Sequence, residues 1–125
     1  MSLQARVRNA DFLSRRMSAA QAAQLIEHGA TLGLSGFTGA GYPKALPQAI
    51  AERARAEHAA GRPFQVNVWT GASTAPEVDG ALAQAGAMAQ RLPFNSDAST
   101  RQQINAGTID YIDMHRSEER RVGKE

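Results

Sequence analysis

The sequence predicts an α/β fold built as a partial parallel sheet with flanking helices. Three observations carry that prediction. Short β-rich runs alternate with helical patterns along the 125 residues, which is the signature of βαβ units with right-handed crossovers. Small-residue turns follow the first two runs, where a strand passes into a helix. Hydrophobic residues make up 42% and aromatics 6%, so alanine does much of the helix packing in an ordinary α/β core.

The elements follow in order. Ser18 to Gln21 reads Ser-Ala-Ala-Gln, a capping box in which Gln21 reaches back to the Ser18 N–H. A helix is expected over 19–27, stopped at His28 and Gly29. Residues 31–35 read as a buried strand. After a Gly-rich turn, Leu46, Ala49, Ile50 and Ala54 recur at helical spacing, with Pro47 tolerated only in the first turn. Gly61-Arg62-Pro63 breaks that helix. Residues 65–70, Gln-Val-Asn-Val-Trp-Thr, form the second strand. A second small-residue turn covers 71–74, and Pro76 opens a helix to about residue 85. Asp97 or Ser96 caps a helix that ends at Asn105 before Gly107. Residues 109–113 make the third strand. Residues 116–125 hold seven charges and one sizeable apolar residue, Val122, and are expected to be a solvated tail.

Composition excludes several classes. There is no cysteine, so neither a disulfide framework nor a thiolate metal site is available, and a reducing, cytoplasmic location is expected. The three histidines lie far apart without ligand spacing, so no metal is expected. A net charge of +2 is too small to imply a nucleic-acid partner. No apolar stretch approaches membrane-spanning length, and the first residues lack the apolar core of a secretory signal.

The chemistry is expected at the carboxyl ends of the strands, where α/β sheets bind ligands. Residues 36–41 and 71–74 leave two consecutive strands, and 93–97, Pro-Phe-Asn-Ser-Asp, can approach the same edge. They offer backbone N–H groups and the hydroxyls of Thr38, Ser73, Thr74 and Ser96, donors suited to a carboxylate or a thioester carbonyl. No G-x-S-x-G elbow and no cysteine supplies a nucleophile. Structural readings stand beside these. Ser73 and Ser96 are also candidate helix caps, Phe37 a loop anchor, Trp69 a core residue, and Glu77 and Asp79 acids favouring a helix dipole. Asp110 reads as solvated, and Asp113 and His115 as polar contacts.

Ser-Gly-Phe-Thr-Gly-Ala-Gly-Tyr-Pro-Lys (35–44), Thr-Gly-Ala-Ser-Thr (70–74), Asp79-Gly80, Pro-Phe-Asn-Ser-Asp (93–97), Ile-Asn-Ala-Gly (104–107) and Asp-Tyr-Ile-Asp-Met-His (110–115) occur in this order. Together they resemble the amino-terminal part of the acetyl-CoA hydrolase/transferase family, among the class I coenzyme A transferases. The likeness runs from about Arg8 to His115. It implies that residues 1–115 are the amino-terminal portion of a CoA-transferase domain, and that 116–125 are foreign to it. It also implies transfer of CoA between an acyl-CoA and a small carboxylate through a glutamyl-CoA intermediate. The alternatives are acetyl-CoA hydrolysis or a non-catalytic anion-binding module.

The resemblance further implies substrate contacts at Ser73 and Ser96, with Gly36, Phe37, Thr38 and Gly39 beside the reacting acyl group. The hydroxyl at the position of Ser96 is often a threonine in relatives. Coenzyme A enters as a thioester substrate rather than as a cofactor, and the full-length protein is expected to be a homodimer. The nucleophilic glutamate of the family lies in a carboxyl-terminal domain. None of Glu27, Glu52, Glu57 or Glu77 sits in its motif, so the chain alone is expected to be inactive.

Overall fold

The computed structural model describes residues 2–35, 40–71, 76–92 and 97–112. The elements are α1 (Leu3–Arg6), α2 (Ala10–Ser14), α3 (Ala19–Gln24), β1 (Thr31–Leu34) and α4 (Leu46–Ala59). There follow β2 (Val66–Thr70), a π-helical turn (Pro76–Gly80), α5 (Ala81–Gln84), β3 (Met88–Leu92), α6 (Ala98–Asn105) and β4 (Asp110–Tyr111). The four strands form one sheet in the order β1-β2-β3-β4, and every neighbouring pair is parallel. The α/β class and the parallel sheet with flanking helices are as the sequence predicts.

A monotonic strand order with right-handed crossovers puts every connecting helix on one face of the sheet. Packing agrees: α4 lies against α3, α5 and the π-helical turn, and α5 lies against α6. Ile50, Ala51 and Ala54 from α4, Val66 and Val68 from β2, Val78 from the π-helical turn, Leu82 from α5, and Met88 from β3 are buried between helices and sheet. Each of the buried isoleucine, valine, leucine and methionine side chains contributes about 1.5–3 kcal/mol. The opposite face carries Thr31, Gly33 and Trp69, all exposed. Trp69 is 46% exposed and donates its indole N–H to Gln90 Oε1 at 3.3 Å. The expectation of a core Trp69 is therefore corrected: period-two alternation from buried Val66 and Val68 turns residue 69 to the open face.

The helix ends obey their local chemistry. The capping box forms as read, with Gln21 N–H on Ser18 Oγ at 3.1 Å and Ser18 N–H on Gln21 Oε1 at 2.9 Å. Gly29 takes φ +85°, but α3 ends at Gln24 rather than Glu27. Its last turn tightens into i→i−3 bonds, Leu25 N–H to Ala22 O and Ile26 N–H to Ala23 O. The Arg53 guanidinium from α4 donates to the carbonyls of Ala23 and Ile26 and lies over the Phe64 ring at 4.3 Å. α4 carries Pro47 in its first turn. It closes with Gly61 at φ +78°, Gly61 N–H on His58 O and Arg62 N–H on Glu57 O, a paired terminus that requires the left-handed conformation glycine adopts without strain.

Three further expectations are corrected. Among the described residues the sheet has four strands rather than three, because Met88–Leu92 is a strand the sequence reading passes over; residues 110–111 form the fourth. The helix expected from Pro76 to about residue 85 divides into a π-helical turn and a single α turn. Asp79 is buried and ion-paired rather than serving as a surface dipole acid.

The overlooked strand has an irregular register. Val66 pairs with Met88, yet Asn67 pairs with Gln90 and Val68 with Arg91. The extra residue, Ala89, makes a bulge that reverses the side-chain phase. Met88 and then Arg91 face the helices, and Arg91 is 1% exposed.

Candidate functional site at the carboxyl edge of the sheet

β1, β2 and β3 are parallel and end side by side, with Leu34 opposite Thr70 and Trp69 opposite Leu92. The chain therefore leaves the sheet at one edge after each strand. These are the points where the three loops singled out by sequence begin. Gly36, Phe37, Thr38, Gly39, Ser73 and Ser96 themselves lie outside the described residues, as do Thr74, Asp113, His115 and the charged segment 116–125. What is described is the root of each loop.

The first root is closed by Ser35, whose hydroxyl donates to the Gly41 carbonyl at 2.7 Å. Gly41 sits at φ +72°, a conformation an L side chain rarely adopts. Tyr42 follows, partly buried, with Lys44 Nζ 5.4 Å from its ring centroid. Partial burial raises the Tyr42 hydroxyl above the usual tyrosine range. The hydrogen bond it donates to Glu77 and the charge of that carboxylate raise it further. This contact spans from the chain just after the first loop to the chain just after the second.

The second and third roots share one buried polar cluster. The Arg91 guanidinium donates from Nε to Asp79 Oδ1 at 2.6 Å and from Nη2 to Asp79 Oδ2 at 3.3 Å. Nη2 also donates to Thr70 Oγ1 at 2.9 Å, and Nη1 donates to the Leu92 carbonyl. Both ion-pair side chains are fully buried. On the far side, the Thr100 hydroxyl is shared between the Asp79 carbonyl at 3.3 Å and Asp97 Oδ2 at 3.2 Å. Asp97 Oδ2 accepts the Thr100 N–H at 3.0 Å and caps α6.

That cap decides between the two residues offered by sequence. Asp97 holds the N-cap of α6, the position the sequence offered to Asp97 or Ser96. For Ser73 the α6 geometry says nothing. Glu27 and Glu52 are exposed on the helical layer. Glu57 pairs with Arg62, whose hydrogen bond and charge lower its carboxyl below the usual range. Glu77 is the described glutamate at the loop edge, engaged with Tyr42.

Sequence reasoning missed Arg91, Thr70, Thr100 and Tyr42. An arginine between Gln90 and Leu92 gives no periodic signal until the bulge is known. The available hint was chemical: an Arg and an Asp twelve residues apart, each beside a loop of small polar residues.

Among the described residues no helix is long and apolar enough to cross a membrane. The model of the acetyl-CoA hydrolase/transferase N-terminal domain matches residues 1–122. The chain is 44% identical over 103 residues to the propanoyl-CoA:succinate CoA transferase of Escherichia coli (strain K12), covering 82% of this chain and 21% of that protein. It is 38% identical over 112 residues to the succinyl-CoA:acetate CoA-transferase of Clostridium kluyveri, covering 90% of this chain and 20% of the relative. It is 34% identical over 115 residues to the acetyl-CoA hydrolase of Saccharomyces cerevisiae, covering 92% and 22%. The chain thus spans about a fifth of the length of these relatives. A parallel sheet whose described strands end at one edge, in a chain matched over residues 1–122 by the family's model, makes this chain a member of the acetyl-CoA hydrolase/transferase family, within its N-terminal domain.

Proposed function

We propose that this chain is the substrate-side portion of an enzyme that moves CoA between an acyl-CoA and a small carboxylate. The observation that supports this reading most directly is the convergence of three strand ends, each opening into a donor-rich loop, at one edge of a parallel sheet. Loops rooted there can present N–H and hydroxyl donors to the same small acyl group.

In this reading the Ser73 and Ser96 hydroxyls hold the substrate carboxylate. The turn of Gly36, Phe37, Thr38 and Gly39 lies against the reacting acyl carbon. The nucleophile is a glutamate supplied by the remaining four-fifths of a full-length family member. Its carboxylate attacks the thioester carbonyl, expelling the CoA thiolate and leaving an acyl-glutamyl anhydride. The thiolate then attacks the glutamyl carbonyl, releases the first acid and forms glutamyl-CoA. The second acid takes over the CoA by the same two steps in reverse. An anhydride survives only where water is excluded and both acyl groups are held in place. The accompanying expectations are a cytoplasmic homodimer, with coenzyme A as substrate.

Acyl-CoA hydrolysis is the second reading, favoured by the relatives named acetyl-CoA hydrolases. The test joins this chain to the rest of the E. coli relative in place of the matching segment. Propanoyl-CoA is supplied with succinate or with water alone. The proposal expects CoA transfer from the chimera and none from the 125-residue chain. Thiol release without succinate, unchanged by adding it, supports hydrolysis. Turnover by the chain alone overturns the missing-nucleophile argument.

A further inference from the structure

We propose that Arg91 is a positioning residue that fixes the described ends of the second and third loops, at Thr70, Asp79, Leu92 and Asp97, relative to one another. The inference rests on the acyl-transfer reading for its substrate and on described geometry for its mechanism.

Arg91 contacts the residue before the second loop's glycine, Thr70, through the side-chain hydroxyl. It contacts the turn after that loop through Asp79. It contacts the last strand residue before the third loop through the Leu92 carbonyl. Asp79 passes the connection on, through its own carbonyl and Thr100, to Asp97 just after the third loop. One guanidinium and its carboxylate thus join all four roots of the two loops.

Stability alone does not account for this arrangement. Burying two charges is costly, and well-packed apolar residues of the same volume generally serve a core as well or better. The phase reversal at Ala89 is a second cost, since it interrupts the ladder between β2 and β3 to bring residue 91 inward. An ion pair located at the roots of two loops gives fixed relative geometry, which an apolar cluster does not supply. The donor has to be arginine. Its planar fork serves Asp79, Thr70 and the Leu92 carbonyl at once, whereas a lysine ammonium is a single point charge on a flexible stem.

The test uses Arg91→Lys, which keeps the charge opposite Asp79 and loses the fork. In the chimera with the E. coli relative, assayed with propanoyl-CoA and succinate, the expected result is a KM for succinate raised about tenfold or more, the scale of one hydrogen bond to a charged group. The KM for propanoyl-CoA should move less, and the variant should still unfold cooperatively, at a lowered melting temperature because buried acceptors lose their donors. Unchanged kinetic constants in a folded variant overturn the proposal.

A second measurement is independent of activity. In the 125-residue chain, Arg91→Lys should speed amide exchange at Gly71, Leu92 and Thr100 while Ile50 and Ala54 in α4 keep their rates. Exchange that rises uniformly, or nowhere, overturns the positioning role. Should the unsubstituted chimera transfer no CoA, the functional reading fails, and the exchange pattern alone decides whether Arg91 fixes the loops.

Discussion

Removing the carboxylate from the buried pair should be among the most destabilising single changes in this chain. Asp79 and Arg91 are both fully buried at the side chain, and Asp79 takes two of the guanidinium donors, at 2.6 and 3.3 Å. Replacing Asp79 by alanine leaves a buried cation without its carboxylate, while it still donates to the Thr70 hydroxyl and the Leu92 carbonyl. Breaking one side of such a pair costs about 3–5 kcal/mol. Asp79→Asn keeps an amide oxygen able to accept one of the two bonds, so it falls toward the lower end. Against a total stability on the order of 5–15 kcal/mol, either change is a large fraction.

The double variant Asp79→Leu/Arg91→Met is the informative companion. It removes both charges and fills similar volume, so it should recover most of the stability lost by the single change. Urea unfolding of the parent, Asp79→Leu, Arg91→Met and the double variant gives the cycle directly, with the slope checked for constancy. A cost below about 1 kcal/mol for Asp79→Ala, or a double variant no more stable than the single one, refutes the view that this is a desolvated, mutually dependent pair. The same double variant bears on function. Stability should return, but in the chimera the KM for succinate should stay high, because two apolar side chains cannot tie Thr70, Leu92 and Thr100 together.

Other outcomes follow from the same geometry. Arg53→Met should cost roughly 1.5–3 kcal/mol in urea unfolding, since it strips a charged donor from the Ala23 and Ile26 carbonyls; a cost near zero would mean that water replaces it fully. In the chimera, Ser73→Ala and Ser96→Ala should each raise the KM for succinate about ten- to more than a hundredfold, the worth of a hydrogen bond to a charged group. Ser96→Ala should leave the melting temperature in place, because Asp97 is the cap of α6. Tyr42 titrates above its ordinary value in the folded chain. The stability this contributes is fully present below the unfolded tyrosine pKa of about 10 and is lost as pH rises through the higher folded value. Tyr42→Phe should flatten that alkaline loss in a pH series of melting temperatures, and an unchanged profile would remove the Glu77 contact from consideration.

The contrast between legible and hidden parts of the chain has a physical cause. The capping box at Ser18 and Gln21 is local: both partners lie within four residues, so spacing alone specifies their bonds. Gly61 is likewise local, since its left-handed φ ends α4 without help from elsewhere. β2 was legible because Val66 and Val68 alternate with polar or open-face neighbours. Strand β3 was not, because Met-Ala-Gln-Arg-Leu carries neither period. Its burial pattern makes sense only when the partner strand is known to slip by one residue at Ala89.

Arg91 and Asp79 depend on that slip. With regular alternation from Met88, residue 90 would face the helices and the arginine would stand on the open face beside Trp69. The bulge exchanges them: Gln90 goes outward to meet the Trp69 indole, and Arg91 goes inward to meet Asp79. The extra residue is accommodated as a bulge, and the register beyond it keeps Arg91 opposite inward-facing Val68. Deleting Ala89 removes the extra residue and leaves Gln90 opposite Asn67 and Arg91 opposite Val68, so it should restore the regular ladder with Arg91 still on the helix-covered face. If the arginine, rather than the bulge, holds the loop roots, the deletion variant should keep the exchange protection of Thr100, and adding Arg91→Lys to it should remove that protection. Protection that survives both changes would show that Asp97, acting alone as the α6 cap, is sufficient to hold that end of the loop.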